Sequence, residues 1–212
     1  MMGALDLRRV VLASRNTHKL IELRRMLDGT GVELLGLDEV APDAPELVEE
    51  GATFEENALS KAHQAAEIAG LPALADDSGL EVDALGGAPG VHSARFSGAH
   101  GNSAANTALV LEKLRGVPDE ERAARFRCVV ALVVPGADGE AASEWSFSGR
   151  CEGRIGHEPK GTGGFGYDPI VFLPDRGLTV AQLSDADKDA ISHRGEAVRK
   201  LVEFLRQRRR TS

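Results

Sequence analysis

The run Phe126-Arg127-Cys128-Val129-Val130-Ala131-Leu132-Val133-Val134 constrains this chain more than any other stretch. Side chains of a strand point alternately to its two faces, and from Val129 onward both sets are apolar. Such a strand is stable only where both faces of its sheet are covered, so the run predicts a central strand with Cys128 in the core. Ser143 to Cys151 alternates and reads as its hairpin partner through a turn at Ala137-Asp138-Gly139, with Trp145 and Phe147 sharing one face. Val10-Val11-Leu12-Ala13 and Val32 to Leu35 read as shorter strands, and Leu20, Leu23 and Leu27 recur at helical spacing after the first of them. Strands alternating with helices predict an α/β fold on a curved, partly antiparallel sheet.

Charge and composition narrow the class. With 212 residues and no Pro/Ser-rich linker or charge block, one large domain with a sizeable core is expected. A formal net charge of −8 argues against a nucleic-acid binder, which needs a basic face. It leaves room for an anionic substrate held by a few lysines and a divalent ion. Cys128 and Cys151 are the only cysteines, too few for a disulfide framework and in keeping with a reducing compartment. Met1 to Arg9 lacks the apolar core of a signal peptide, and no run of about 18 apolar residues occurs. A soluble cytoplasmic protein without a membrane partner is expected.

Asp76 and Asp77 lie between the apolar Leu71 to Ala75 and the alternating Leu80 to Leu85, so with Ser78-Gly79 they read as one strand's tip turning into another. Adjacent carboxylates repel and call for a cation or hydrogen-bond donors; a solvated turn is the competing reading. Ser14-Arg15-Asn16-Thr17-His18-Lys19 joins a strand to a helix, where unsatisfied N–H groups and the helix dipole stabilise an anion. A phosphate site is expected there, beside the simpler reading of a cap made by Asn16 or Thr17. Thr53 and Glu56 have capping-box spacing for a helix running to about Ala69 and ended by Gly70 and Pro72. Glu49 precedes it in a loop, free to reach a metal; Asn57 and Lys61, four apart, share one face that looks either into a site or into water.

Farther along, Pro89-Gly90 marks a turn, Arg95 reads as a supporting residue, and Asn102 to Leu114 reads as a helix without chemistry, closed by Gly116 and Pro118. Gly161, Gly163 and Gly166 repeat the letters of the dinucleotide fingerprint, but the apolar run Ile170 to Leu173 puts a strand after them instead of a helix. In Lys160-Gly161-Thr162 the lysine precedes the glycine, the wrong order for a Walker A motif. What remains is a ligand loop rich in backbone donors, with Phe165 and Tyr167 either stacking on a base or anchoring the core. Ser184 with Asp187 signals a helix cap, and Val198, Leu201, Val202 and Leu205 make the stripe of a closing helix with His193-Arg194 near its start. Cations are disfavoured there, so the pair points to an anionic or carbonyl-bearing ligand, against the plainer reading of two side chains in water. Arg208-Arg209-Arg210 reads as a solvated tail complementing the helix C-terminus.

Together, Ser14 to Lys19, Glu49 to Phe54 with Asn57-Ala58, Asp76 to Leu80, Pro89 to Phe96, Gly163 to Pro169 and Ser192 to Gly195 resemble, in collinear order over nearly the whole chain, the inosine triphosphate pyrophosphatase family. Within that family the chain is similar to the bacterial XTP/dITP diphosphatases. The resemblance implies an α/β fold: an elongated two-lobed domain around a long curved mixed β-sheet flanked by helices, with the active site in the cleft and a homodimer as the assembly. It also implies Mg²⁺-dependent hydrolysis of ITP, dITP and XTP to the monophosphate and pyrophosphate, which cleanses the nucleotide pool and keeps these bases out of DNA and RNA.

Position by position, the resemblance implies Asp77 as proton acceptor and metal ligand, Glu49 as second ligand, and Ser14, Arg15, Asn16, Thr17, His18 and Lys19 on the triphosphate. Arg15 and His18 occupy variable positions of their motif and are given only backbone contact. Lys61 faces phosphate, Ser78 contacts substrate, Phe165, Gly166, Tyr167, Asp168 and Lys188 line the nucleotide site, and His193 and Arg194 contact the base. Mg²⁺ suits such a set, since it takes one or two carboxylates and completes its shell with phosphate and water. Two other readings are a Maf-like nucleotide pyrophosphatase with another base preference and a nucleotide-binding module without turnover. The His193-Arg194 and Phe165 to Asp168 segments weigh against the first, the carboxylates and lysines against the second.

Overall fold

The structure, a computed structural model, describes residues 7–98, 101–136 and 140–210. The hairpin turn expected at Ala137-Asp138-Gly139 lies outside the described residues. Among the described residues, seven strands form one sheet: β1 (Arg9–Leu12), β2 (Glu33–Gly36), β3 (Ala73–Val82), β4 (Ala123–Val134), β5 (Ser143–Ile155), β6 (Val171–Leu173) and β7 (Leu178–Thr179), in the order β2-β1-β3-β4-β5-β6-β7. β1 runs parallel to β2 and β3, whereas β5, β6 and β7 pair antiparallel, so the sheet is mixed. β4 occupies its middle position, and Val129 to Val134 are all buried, as their two-faced apolar pattern requires.

The helices of the described residues are α1 (Thr17–Leu27), α2 (Leu37–Val40), α3 (Phe54–Ala69), α4 (Ser103–Lys113), α5 (Asp185–Ile191) and α6 (His193–Arg210). α3 begins with the predicted capping box, Thr53 accepting from the Glu56 N–H and Glu56 reaching back, and ends at Gly70 in the left-handed region. Its buried face carries Ala58, Ala62, Ala65 and Ala66, small enough to bring the helix close to β1. The short α2 carries no signal strong enough for sequence reading: it is held by Glu39, which accepts from the Gly36 N–H at 2.6 Å and from Arg24 at 2.6 Å. Trp145 and Phe147 do share a face, both packing on Phe204 of α6 with ring centroids 5.0 and 5.5 Å apart. No helix among the described residues is long and apolar enough to cross a membrane.

One expectation is overturned at the Asp-Asp motif. Ser78-Gly79 makes no turn, because β3 continues unbroken from Ala73 to Val82. Gly79 is absent from the glycines with positive φ, the conformation a two-residue hairpin turn demands. The two carboxylates need no solvated tip because Lys19 and Lys61 neutralise them inside the strand.

The chain divides into two compact units, one of Met1–Asp77, Val129–Ser148 and Glu196–Ser212, the other of Ser78–Cys128 and Gly149–Gly195. The second has its own apolar cluster, including Leu80, Val82, Val110, Phe126, Tyr167, Ile170 and Val171. Asp77 and Ser78, consecutive in β3, are the last residue of one segment and the first of the next.

Candidate active site

In the first unit, the face of α3 that carries Lys61 meets the end of its β3 segment. Lys61 is buried, and its ammonium reaches Glu49 Oε1 at 2.6 Å, Asp77 Oδ1 at 2.8 Å and the Asp76 carbonyl at 3.2 Å. Lys19, one turn into α1, reaches Asp76 Oδ1 at 2.5 Å and the same carbonyl at 3.1 Å. Two ammonium groups thus interleave with three carboxylates. Before Lys19, Asn16 caps α1 by accepting from the His18 and Lys19 N–H groups at 3.0 and 3.2 Å, and Ser14 Oγ accepts from the Asn16 N–H at 3.1 Å. The cap reading and the helix N-terminus expected for an anion therefore coexist; Thr17 to Lys19 form the first helical turn. Arg15 turns to Asp38 at 2.8 Å and the Ala44 carbonyl at 2.5 Å, and Thr17 and His18 are exposed.

Burial, the largest influence on Asp77, raises its pKa above the ordinary carboxylate value; Glu49 adds to this, and Lys61 and Lys19 oppose it. Burial pulls Lys61 down most, yet Asp77 and Glu49 together overcome it and raise its pKa. Lys61 therefore stays charged, and Asp77 binds a proton more readily than an ordinary carboxylate. Lys61→Ala is expected to strand Asp77 and cost about 3–5 kcal/mol of stability at neutral pH, the usual result of breaking a buried pair from one side. Asp77's folded pKa would then rise further above its unfolded value. A raised carboxylate favours folding below the unfolded pKa and loses that advantage as pH rises through the folded one, so the deficit should shrink on acidification. Urea melts of both proteins across pH check this: a deficit independent of pH would mean that Asp77 does not depend on Lys61.

The residues fit a divalent cation on one specific observation. Asp77 Oδ2 is buried and makes no hydrogen bond, leaving a carboxylate oxygen with an open acceptor position. Among the described residues no group of three His, Cys, Asp or Glu side chains makes a metal cage. Mg²⁺ needs none, since it keeps waters and takes substrate phosphates beside one or two carboxylates. Asp77 and Glu49 are the groups that would hold it.

In the second unit, Arg194 is only 1% exposed, and its Nη2 donates to Ser78 Oγ at 3.1 Å. Its guanidinium lies 5.4 Å from the Phe165 ring centroid, and Lys188 Nζ lies 4.8 Å from the same centroid. Lys188 also pairs with Asp168 Oδ2 at 2.8 Å, which accepts from the Phe165 N–H at 2.9 Å and so fixes the loop carrying the ring. His193 stacks on Phe126, centroids 4.8 Å apart and planes 16° apart. Of the two readings for Tyr167, the ring goes to the core: it is buried, its hydroxyl donates to the Ser93 carbonyl at 2.8 Å, and burial pushes its pKa up. The Gly166 carbonyl accepts from Thr107 at 3.4 Å.

The glycine loop owes much of its composition to packing. A Cβ on Gly161 would sit 2.6 Å, and on Gly163 2.9 Å, from the Ala181 carbonyl oxygen, which accepts from the Gly163 N–H at 3.0 Å. These two glycines let two backbones approach; the strand expected after them is β6. Sequence reasoning missed the partners. Asp76 is Lys19's counter-ion and Phe126 is the platform under His193, pairings between residues far apart in the chain that no local motif announces.

A model of the Ham1 family matches residues 10–204. The chain is 57% identical over 203 residues to the dITP/XTP pyrophosphatase of Nocardia farcinica, covering 93% of this chain and 94% of that one. It is 52% identical over 197 residues to the dITP/XTP pyrophosphatase of Geobacter sulfurreducens, covering 93% and 96%. The structure of a HAM1 protein from Coxiella burnetii matches with a TM-score of 0.83 and 42% identity over 94% of this chain and 98% of that one. The family match runs through the Lys19–Asp76 and Lys61–Asp77 pairs and on to His193-Arg194, and the chain therefore belongs to the Ham1 family.

Proposed function

We propose that the protein hydrolyses the deaminated purine nucleoside triphosphates ITP, dITP and XTP to the monophosphate and pyrophosphate. The observation that carries the reading is Asp77, a buried carboxylate with a raised pKa, one oxygen on Lys61 and the other unpartnered. The names of the two relatives supply the substrate class. In this reading Asp77 accepts the proton of a water that attacks the α-phosphorus; the new P–O bond forms as the bond from the α-phosphorus to the bridging oxygen breaks, and pyrophosphate leaves. Lys19 and Lys61 neutralise charge on the phosphates, and the N-terminus of α1 receives phosphate oxygens. Mg²⁺, held by Asp77 and Glu49, supplies charge neutralisation and orientation of the phosphate chain when bound. No covalent nucleophile is needed. Ser78, Phe165, Asp168, Lys188, His193 and Arg194 serve the nucleoside, and Gly166 and Tyr167 keep the loop between them in place.

The same reading makes the protein a cytoplasmic homodimer acting as one two-lobed domain, with no nucleic acid or membrane partner; its acidic charge is in keeping with this. A triphosphate panel tests the activity. Pyrophosphate should be released from ITP, dITP and XTP far faster than from ATP, GTP or the pyrimidine triphosphates, and activity should vanish with chelator and return with Mg²⁺. Preference for a pyrimidine triphosphate would favour the Maf-like reading, binding without release would favour a sensing module, and full activity in excess EDTA would sink the metal assignment.

A further inference from the structure

Glu49 stands in a loop, residues 44–51, that has no helix, strand or turn of its own. Such a segment has no ladder to fix its carboxylate, and yet that carboxylate meets Lys61 at 2.6 Å. The polar side chains of α3 grip the loop's backbone on both sides of it. Gln64 makes a pair of hydrogen bonds with Val48, accepting from its N–H at 3.0 Å and donating to its carbonyl at 3.1 Å. Asn57 Oδ1 accepts from the Gly51 N–H at 2.8 Å, and Glu56 accepts from the Ala52 and Thr53 N–H groups at 2.7 and 3.2 Å. The grip at Gly51 is close: an added Cβ would stand 2.7 Å from Glu56 Cβ and 2.8 Å from Asn57 Oδ1. Asn57 is 1% exposed, and its Nδ2 is buried with no hydrogen-bond partner. A buried amide with an idle donor is an expensive way merely to cap a loop.

We propose that Asn57, backed by Gln64, is a positioning residue for Glu49, holding the loop at Gly51 and Val48 so that the carboxylate is presented beside Asp77. The inference rests on the reading of Glu49 as a metal ligand. Groups that orient a metal's ligands typically govern affinity by about 10–100-fold when removed.

The test measures Mn²⁺ binding by electron paramagnetic resonance in the presence of a non-cleavable α,β-imido analogue of ITP. The Mg²⁺ concentration for half-maximal turnover and amide exchange at Gly51 are followed beside it. Asn57→Ala is expected to weaken Mn²⁺ binding by about 10–100-fold, to raise the Mg²⁺ requirement in step and to speed exchange at Gly51. Gln64 is only half-buried and alanine is a good helix former, so Gln64→Ala carries the test if Asn57→Ala does not fold; it should move the same readouts in the same direction, by less. Glu49→Gln separates the two claims. If it weakens Mn²⁺ while the folded helix variants bind as the wild type does, the positioning role is overturned and Glu49 remains a ligand. If Glu49→Gln binds Mn²⁺ unchanged, Glu49 is not a ligand and the positioning role falls with it.

Discussion

Asp77→Asn is expected to fold and to lose turnover by at least about 10²–10⁴-fold, the usual worth of a general base. The substitution keeps the side chain's shape in a site where it is 7% exposed, so no cavity opens. Lys61 is not stranded, because Glu49 remains 2.6 Å from its ammonium. What disappears is a carboxylate with one oxygen that accepts no hydrogen bond, and with it both the proposed proton acceptor and a charge proposed to hold Mg²⁺. The wild-type protein should carry the matching signature in its pH profile. Burial raises the pKa of Asp77, so the acid limb of kcat/KM, which reports the free enzyme, should fall above the ordinary carboxylate range and be missing in the residual activity of the variant. Single-turnover rates with ITP at saturating Mg²⁺, together with a thermal melt, decide the matter. Near-normal turnover would move the base elsewhere, and Asp76 is the next carboxylate to try, although Lys19 already occupies its Oδ1 at 2.5 Å.

Local signals made the scaffold legible. The capping box at Thr53, the two-faced apolar run of β4, the Asn16 cap and the Ser184 cap each act within a few residues, so the sequence carries them whole. The Asp-Asp motif misled for the opposite reason. Asp, Ser and Gly favour turns by their local chemistry, but here two lysines from α1 and α3 supply the opposing charge, and neutralised carboxylates can stay inside a strand. Arg122 makes the same point. Arginines mostly lie exposed, whereas this one is buried and its guanidinium donates to the carbonyls of Leu114, Ile155 and Gly156 at 2.9, 2.8 and 2.7 Å. For the site itself, Glu49, Lys61 and Asp77, which the structure brings together, stand out in the sequence by type and by resemblance. Their partners depend on which strands and helices become neighbours, and one-dimensional spacing does not encode that.

Arg194→Ala is expected to lower kcat/KM for ITP by about 10–100-fold while changing that for ATP far less, so that the preference narrows by losing the good substrate. The triphosphate and sugar are common to both, which leaves the purine edge to decide. Hypoxanthine and xanthine present an acceptor at position six and adenine presents a donor, so a guanidinium, which only donates, is satisfied by the first two and left facing an amino group by the third. Each bond lost to a charged group is worth about 1.5–3 kcal/mol, and 1.4 kcal/mol is tenfold, which gives the expected range. Arg194 is suited to this discrimination because it is fixed before substrate arrives: it is 1% exposed, hydrogen-bonded to Ser78 Oγ at 3.1 Å and set over the Phe165 ring at 5.4 Å. A pre-set donor that loses its partner cannot turn to water instead, and sites of that kind reject the wrong analogue strongly. Removing so buried a side chain also leaves a cavity, so Arg194→Met, which keeps the volume without the donors, is the control for packing. Both variants should show the narrowed ITP-to-ATP ratio, and Arg194→Lys, which keeps the charge but not the planar fork, should recover little of it. An unchanged ratio in Arg194→Met would move base recognition to the Phe165 to Asp168 loop, where Lys188, held by Asp168 at 2.8 Å, is another donor beside the ring.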